Sequence, residues 1–477
     1  MRKIYRQWLC MAVLLCQITA QAAENGAVVR GSVKDVQGNP IAGVVVTDGK
    51  NMTATDNRGM YLLDTDPVRQ PMVYISTPAD YVLPEKNGIA DGFYRYQDAG
   101  KTENQCDFTL QKREKKTDEF VFIPISDPQV KNEKQLERFR SETIPDLVYT
   151  VDSLNVPETI GMQLGDLVWD AMNLYTPYRT TISNLGLTMF QVMGNHDFNL
   201  QYADMERTAE PAKGYGEKNY YEMFGPTDYS FNVGKVHVIA MKDIDYEGGK
   251  KYTERFTEEQ LEWLKKDLSY VPEGTTVFLN VHAPVANTTV EGGDNVRNAN
   301  ALFRILRPYK AHIFSGHTHF YENTLPAAGI YEHNIGAACG AWWAGDVNRC
   351  GAPNGYLVVT VKGDDVKWRY KVTGRPADYQ FRVYKPGEFE TQKQYVVANI
   401  WDWDIAYTVN WYEDGVLKGA MQQFDDEDQD YLNMEKGERT GYHTRHLFRA
   451  CPSSQAKKIK VEVKNRFGEI FTQEVEL

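Results

Sequence analysis

The sequence predicts an α/β core held between two β-rich flanks, and three observations carry that reading. Between residues 119 and 372, apolar strand-like runs alternate with helical patterns, as in an α/β domain. Before it, over residues 27–110, short β-branched runs are interrupted by Gly, Asn, Pro and Asp, the pattern of strands joined by turns. After about residue 378, strand composition returns, and Ile459-Lys460-Val461-Glu462-Val463 alternates strictly. A chain of 477 residues has room for two to four domains and a large core.

The N-terminus reads as a secretory signal over residues 1–22. Arg2, Lys3 and Arg6 precede an apolar stretch at 8–15, and Ala20-Gln21-Ala22 offers a small-residue cleavage site. A lipoprotein reading through Cys16 is weaker, because Leu15 stands where a small residue is wanted. The stretch is too short to span a bilayer, and no later run is long and apolar enough. The expectation is an exported, periplasmic or extracellular protein without a membrane span. Loss of three basic residues and no acid takes the formal charge from −12 to −15. Such a field opposes long polyanions, so nucleic acid is not an expected partner. Small phosphorylated substrates remain compatible, because bound cations reverse the local field. Cys106, Cys339, Cys350 and Cys451 remain after processing. Export permits a disulfide, with Cys339 and Cys350 nearest in sequence, and buried thiols are the alternative.

In the first flank, residues 27–112, the turn residues fall at Gly38-Asn39-Pro40 and Thr55-Asp56-Asn57-Arg58-Gly59. The charged stretch at 111–118 reads as a linker. In the core, 134–154 is helical by spacing, with Pro145 kinking or splitting it. Thr257 can cap a second helix, with Glu259 and Gln260 in its first turn and Leu261, Leu264 and Leu268 on one face. In the last flank, residues 378–477, Glu413-Asp414-Gly415 reads as a hairpin turn. No internal repeat is evident.

The chemistry sits just beyond the core's strand-like runs. Asp127-Pro128-Gln129, Gly165-Asp166, Gly194-Asn195-His196-Asp197, His282 and Gly316-His317-Thr318-His319 follow one another, each after an apolar segment. Polar residues placed beyond successive strands converge at the carboxyl edge of a sheet. Carboxylate, imidazole and amide donors together suit hard-to-borderline divalent cations. Taken singly each block has an ordinary reading: a turn, a strand end, a satisfied core histidine. Five in order, each beyond a strand, leave chance a poor explanation.

This ordered series resembles the calcineurin-like metallophosphoesterases over residues 119–372, and Phe224-Gly225-Pro226, Tyr229-Ser230-Phe231 and Pro353-Asn354-Gly355-Tyr356 agree with it. The first flank resembles a carboxypeptidase regulatory-like β-sandwich, and the last resembles the β-rich C-terminal domain of an exported branch of the superfamily. The resemblance implies a four-layer α/β/β/α core. It also implies a hydrolase that cleaves phosphate esters with two divalent ions (Mn, Mg, Fe or Zn) and a hydroxide generated between them. Asp127, Gln129, Asp166 and His319 would hold one metal, and Asp166, Asn195, His282 and His317 the other. His196 would stabilise charge or protonate the leaving group, with Asp197 orienting it.

One position departs from the pattern: the family's first block is Asp-x-His, and here its third residue is Gln129. An amide oxygen is a poorer donor than imidazole for zinc or iron. The expectation is a tight second site beside a weaker first one favouring manganese or magnesium. Gln129 is also the one feature that favours a different reading: a surface binding protein of weakened activity whose β domains recognise a glycan or a protein. Trp342-Trp343 fit either substrate stacking or loop anchoring, and Asp170 reads as a helix-start acid rather than support for the metals. His237 and His312 read as structural, and His333, His443 and His446 lack ligand-type partners at useful spacing. Whether the substrate is a monoester, a diester or a pyrophosphate is not encoded in these motifs.

Overall fold

The structure is a computed structural model that describes residues 26–115, 117–199, 216–248, 251–288 and 294–477. The signal expected at 1–22 lies outside the described residues. Two large sheets form the core. The seven-stranded sheet runs in the order Asp365–Val372, Gly355–Lys362, Glu119–Ile125, Thr159–Leu164, Thr188–Val192, Ile89–Ala90, Glu85–Lys86. The six-stranded sheet runs Tyr229–Val233, Val236–Ala240, Thr276–Asn280, Lys310–Ser315, Ile330–Asn334, Glu322–Ala327. Within each, the consecutive middle strands are parallel. Their carboxyl ends therefore open toward the same side, and the two sheets join there through a bridge between Ser126 and Ala337.

The strand sequences explain why the sheets stack. In Glu119–Ile125, Phe120 and Phe122 point into the layer between the sheets, while Val121, Ile123 and Ile125 face the covering helices. The Phe122 ring meets Phe278 at 5.3 Å and Phe314 at 5.4 Å, each from the opposite sheet. Strands covered on both faces read as near-continuous apolar runs, which is what this core shows. Helices Glu133–Arg138, Ile144–Leu154, Glu258–Leu268 and Ala299–Leu306 supply the outer layers, completing an α/β/β/α arrangement.

The long helical segment is neither kinked apart nor regular. Asn132 caps it by accepting from the Gln135 amide, a π-turn spans Phe139–Thr143, and the helix resumes at Ile144. Pro145, in the first turn of that last piece, needs no donor there, and the wider turn before it spares the ring a clash. Thr257 and Gln260 form a reciprocal capping box on the next long helix, and Leu261, Trp263, Leu264 and Leu268 are buried.

The flanks are mainly β, each with two four-stranded sheets, and the last also carries the short helix Gln429–Met434. The first is more closely joined to the core than its turn pattern suggests. Its hairpin Glu85–Lys86 and Ile89–Ala90 extends the seven-stranded sheet, with Ile89 opposite Met189. The charged stretch read as a linker is docked at Arg113, which pairs with Glu158 at 2.8 Å, both side chains being nearly buried. In the last flank, Asp414 and Gly415 have φ of 49° and 84°, the double left-handed geometry of a tight hairpin turn between Thr408–Glu413 and Val416–Ala420. Among the described residues, Cys106, Cys339, Cys350 and Cys451 are free thiols, and no helix is long and apolar enough to cross a membrane.

Candidate metal centre

The five sequence blocks meet at the carboxyl edge of the two sheets. Glu119–Ile125, Thr159–Leu164 and Thr188–Val192 deliver Asp127 and Gln129, Asp166, and Asn195 with His196. Thr276–Asn280 and Lys310–Ser315 deliver His282, then His317 and His319, from the other side. Backbone strain accompanies the convergence. Asp127, Gln129, Asp166, His317 and His319 have φ of 45°, 41°, 50°, 69° and 53°, in the left-handed region that side chains seldom adopt. Such strain persists only where surrounding structure over-determines it.

The glycines in the motifs have a separate reason. A Cβ on Gly316 would lie 1.9 Å from Ser126 Oγ and 2.5 Å from Asp127 Oδ2. One on Gly194 would lie 2.3 Å from Asp166 Oδ1 and 2.9 Å from the His282 ring. These glycines let the neighbouring loop pass at backbone distance, which brings the carboxylates and imidazoles together.

The donors form two adjoining groups. In one, His282 Nε2 lies 2.9 Å from Asn195 Oδ1, 3.1 Å from His317 Nδ1 and 3.4 Å from Asp166 Oδ1. Asp166, His282 and His317 are near enough to share one ion. In the other, Asp127 Oδ1 lies 3.7 Å from His319 Nε2, and both buried atoms lack any hydrogen-bond partner. Gln129 joins this side, with its amide nitrogen 2.8 Å from Asp166 Oδ2 and its oxygen toward Cys339 Sγ at 3.9 Å. Asp166 thus presents one oxygen to each group.

The tautomers follow from fixed acceptors. His282 Nδ1 donates to the Leu164 carbonyl at 2.7 Å, and His319 Nδ1 donates to the Gly340 carbonyl. Each ring then turns the lone pair of Nε2 inward, the state a metal ligand requires. Burial pushes His317 and His319 down to about 3, so both are neutral at physiological pH. Burial pushes the Asp127 carboxyl up to about 6, with the Asp166 charge adding to it against the pull of His282. Against the depressing effect of burial, the charges of Asp166, Asp127 and Asp243 raise His282 to about 9, so without a cation its Nε2 holds a proton, which metal binding would have to displace to free the lone pair. Converging acceptors, two of them without partners, create a demand for positive charge that divalent cations meet. The residues present fit a pair of such ions.

His196 stands beside these groups. Its backbone N–H donates to Asp166 Oδ1 at 2.9 Å, and its Nδ1 lies 3.0 Å from Asp170 Oδ1. Two expectations change here. Asp197 does not touch the His196 ring. It is fully buried and accepts from the backbone N–H groups of Gly194 at 2.9 Å and Leu167 at 3.1 Å, and from Tyr175. Asp197 pins the two motif loops together, and Asp170, read as a helix-start acid, is the carboxylate that holds the imidazole. The choice depended on which way the loop after Asp166 turns, and Asp170 itself sits at φ 54°.

Trp342 and Trp343 also part company. Trp343 is an anchor, donating to the Pro128 carbonyl at 2.9 Å, whereas the Trp342 ring stacks on His319 with centroids 4.7 Å apart. Trp169 lies 5.1 Å from the His196 ring. Two further buried acids escaped sequence reasoning. Asp243 accepts from His282 and Ala283 N–H groups, and Glu332 from those of Val285 and Ala286. Asp243 could have been found, since it too follows a core strand, Val236–Ala240. The remaining histidines are structural: His237 bonds Asp267 and Asn232, and His312 bonds His333 at 3.1 Å. His443 pairs with Asp425 at the surface, and His446 is buried beside the rings of Phe320 and Tyr321.

Comparison with known proteins adds to this geometry. Residues 121–321 match the family model for the calcineurin-like phosphoesterase, residues 27–113 that for its N-terminal part and residues 332–471 that for its C-terminal part. Among solved structures, a dimetal phosphatase from Danio rerio is similar at 15% identity and TM-score 0.39, covering 54% of this chain and 96% of that one. A 5'-nucleotidase from Candida albicans has 11% identity and TM-score 0.35, covering 54% of this chain and 52% of that one. An NAD nucleotidase from Haemophilus influenzae has 12% identity and TM-score 0.30, covering 54% and 49%. The chain thus spans about half the length of either nucleotidase. No curated protein matches. With all three models falling in order along it, the chain belongs to the calcineurin-like phosphoesterase family.

Proposed function

We propose that this phosphoesterase hydrolyses a small phosphorylated substrate with two divalent cations, held as the sequence blocks suggest. Asp127, Gln129, Asp166 and His319 would take one ion, and Asp166, Asn195, His282 and His317 the other. When bound, such a pair polarises phosphoryl oxygens and makes water nucleophilic near neutral pH. The carrying observation is the unpartnered, adjacent pair Asp127 Oδ1 and His319 Nε2 beside the four-residue group on His282. The chain's own residues have the complementary tasks. His196 is the group suited to give a proton to the leaving oxygen. Asp170 accepts from Nδ1, and against the effect of burial the charges of Asp166 and Asp170 favour the imidazolium, whose Nε2 proton is the transferable one. Asp197 keeps the Asp166 and His196 loops in register.

Gln129 supports a weaker first site, since its amide is already engaged with Asp166. The pattern of the first 22 residues supports export to the periplasm or beyond. The test is hydrolysis of p-nitrophenyl phosphate and bis(p-nitrophenyl) phosphate with Mn2+ present. Turnover of either supports the reading, and their ratio separates monoester from diester preference. Two bound metals with no turnover of either would instead favour a binding role.

A further inference from the structure

The loop of residues 339–354 closes over the first metal group, and the C-terminal flank holds that loop in place. Arg349 grips the His317–His319 segment: its backbone N–H donates to the His319 carbonyl at 3.0 Å, and Nη1 donates to the Thr318 carbonyl at 3.2 Å. Its guanidinium carbon lies 4.5 Å from the centre of the Trp342 ring, which itself stacks on the His319 imidazole. The same carbon lies 4.2 Å from the centre of the Tyr442 ring, in the last flank. A run of planar groups therefore leads from Tyr442 through Arg349 and Trp342 to His319. The loop is tied down beside it, where Asn399 Nδ2 donates to the Cys350 carbonyl and to Asp428, each at 2.8 Å. At Gly351, with φ +79°, an added Cβ would fall 2.0 Å from the Asp428 carboxyl carbon, so the two domains meet at backbone distance.

We infer that the C-terminal domain completes the first metal site, with Tyr442 and Arg349 as positioning residues that hold the His319 ring through Trp342. The inference rests on the proposed two-metal reading. Trp342 in the loop and His319 beneath it have φ of 54° and 53°, so both are held away from relaxed backbone conformations by their surroundings, which here include Arg349 and Tyr442. A guanidinium against an aromatic face gains from the ring quadrupole, more so when desolvated. Partners that orient a metal ligand commonly change metal affinity by about 10–100-fold. Tyr442 bonds to no motif residue directly, which separates this role from ligation.

The experiment is calorimetric titration with Mn2+ of the metal-free full chain, the wild type beside Tyr442→Ala, Tyr442→Phe and Arg349→Lys, with melting temperatures measured alongside. Tyr442→Ala is expected to weaken one of the two binding events by about 10-fold or more and leave the other unchanged. Tyr442→Phe keeps the ring and restores binding. Arg349→Lys keeps the charge without the plane and falls between them. Two unchanged binding events in Tyr442→Ala overturn the inference while the two-metal reading stands. Equal weakening of both events, in step with a lowered melting temperature, also overturns it, as a general loss of structure. A wild type that takes up no Mn2+ overturns the two-metal reading and this inference with it.

Discussion

His196 Nδ1 lies 3.0 Å from Asp170 Oδ1, while the neighbouring Asp197 carboxylate faces the backbone of the Asp166 loop. The two acids therefore differ in what their removal does. Asp170→Asn should lower kcat by about 10–100-fold, and His196→Ala by about 100-fold or more, with metal content unchanged in both. Asp197→Ala leaves several buried N–H donors without an acceptor and should cost about 2–3 kcal/mol of stability. Paired kcat measurements, metal analysis and urea midpoints distinguish these outcomes; loss of metal from His196→Ala would refute its assigned role.

Gln129→His restores the donor type of the family's first block at a position 2.8 Å from Asp166 Oδ2. The variant should bind the weaker of two Zn2+ ions about 10-fold more tightly, since imidazole is a better donor than an amide for zinc. Competition with a chromogenic chelator measures this. No change would mean that position 129 does not contact the metal.

Gly316→Ala tests close approach rather than ligation. With 1.9 Å to Ser126 Oγ, the new methyl must displace Ser126 and the Asp127 carboxylate beside it. The expected loss is about 1–3 kcal/mol, the usual cost of overpacking, together with reduced metal content. A urea midpoint and metal content equal to the wild type would contradict the packing described.

Away from the metal centre, His312 gives a pH signature. Burial, aided by Arg466, pushes it down to about 4 from 6.5. A histidine with a depressed folded value is bound by fewer protons in the native state, so stability is full above the unfolded value and falls as pH drops from 6.5 toward 4. Its share of the loss between pH 7 and pH 5 is on the order of 1–2 kcal/mol. His312 lies against the rings of Phe314, Tyr331 and His333, so His312→Phe suits its surroundings and should flatten the fall in urea midpoint over that range. An unchanged slope would assign the acid sensitivity elsewhere.

Some of this molecule was decided by residue order alone. Apolar runs ending in Asp, Asn or His place those side chains beyond strand ends whatever the rest of the chain does, because strand direction in a parallel sheet fixes which edge they reach. The Thr257 cap and the Asp414-Gly415 turn are local in the same sense, being set by bonds within a few residues. What needed the folded chain was every relationship between loops. Adjacency in sequence favours Asp197 as the partner of His196 and leaves Asp170 as a helix-start acid, and only the left-handed turn at Asp166 and Asp170 brings Asp170 to the ring instead. The Glu85–Lys86 hairpin joining the core sheet, the docking of Arg113 on Glu158 and the contact of Tyr442 with Arg349 span dozens of positions or more. Such long-range contacts leave no periodic trace, since their geometry depends on how whole sheets pack rather than on the spacing of neighbouring residues.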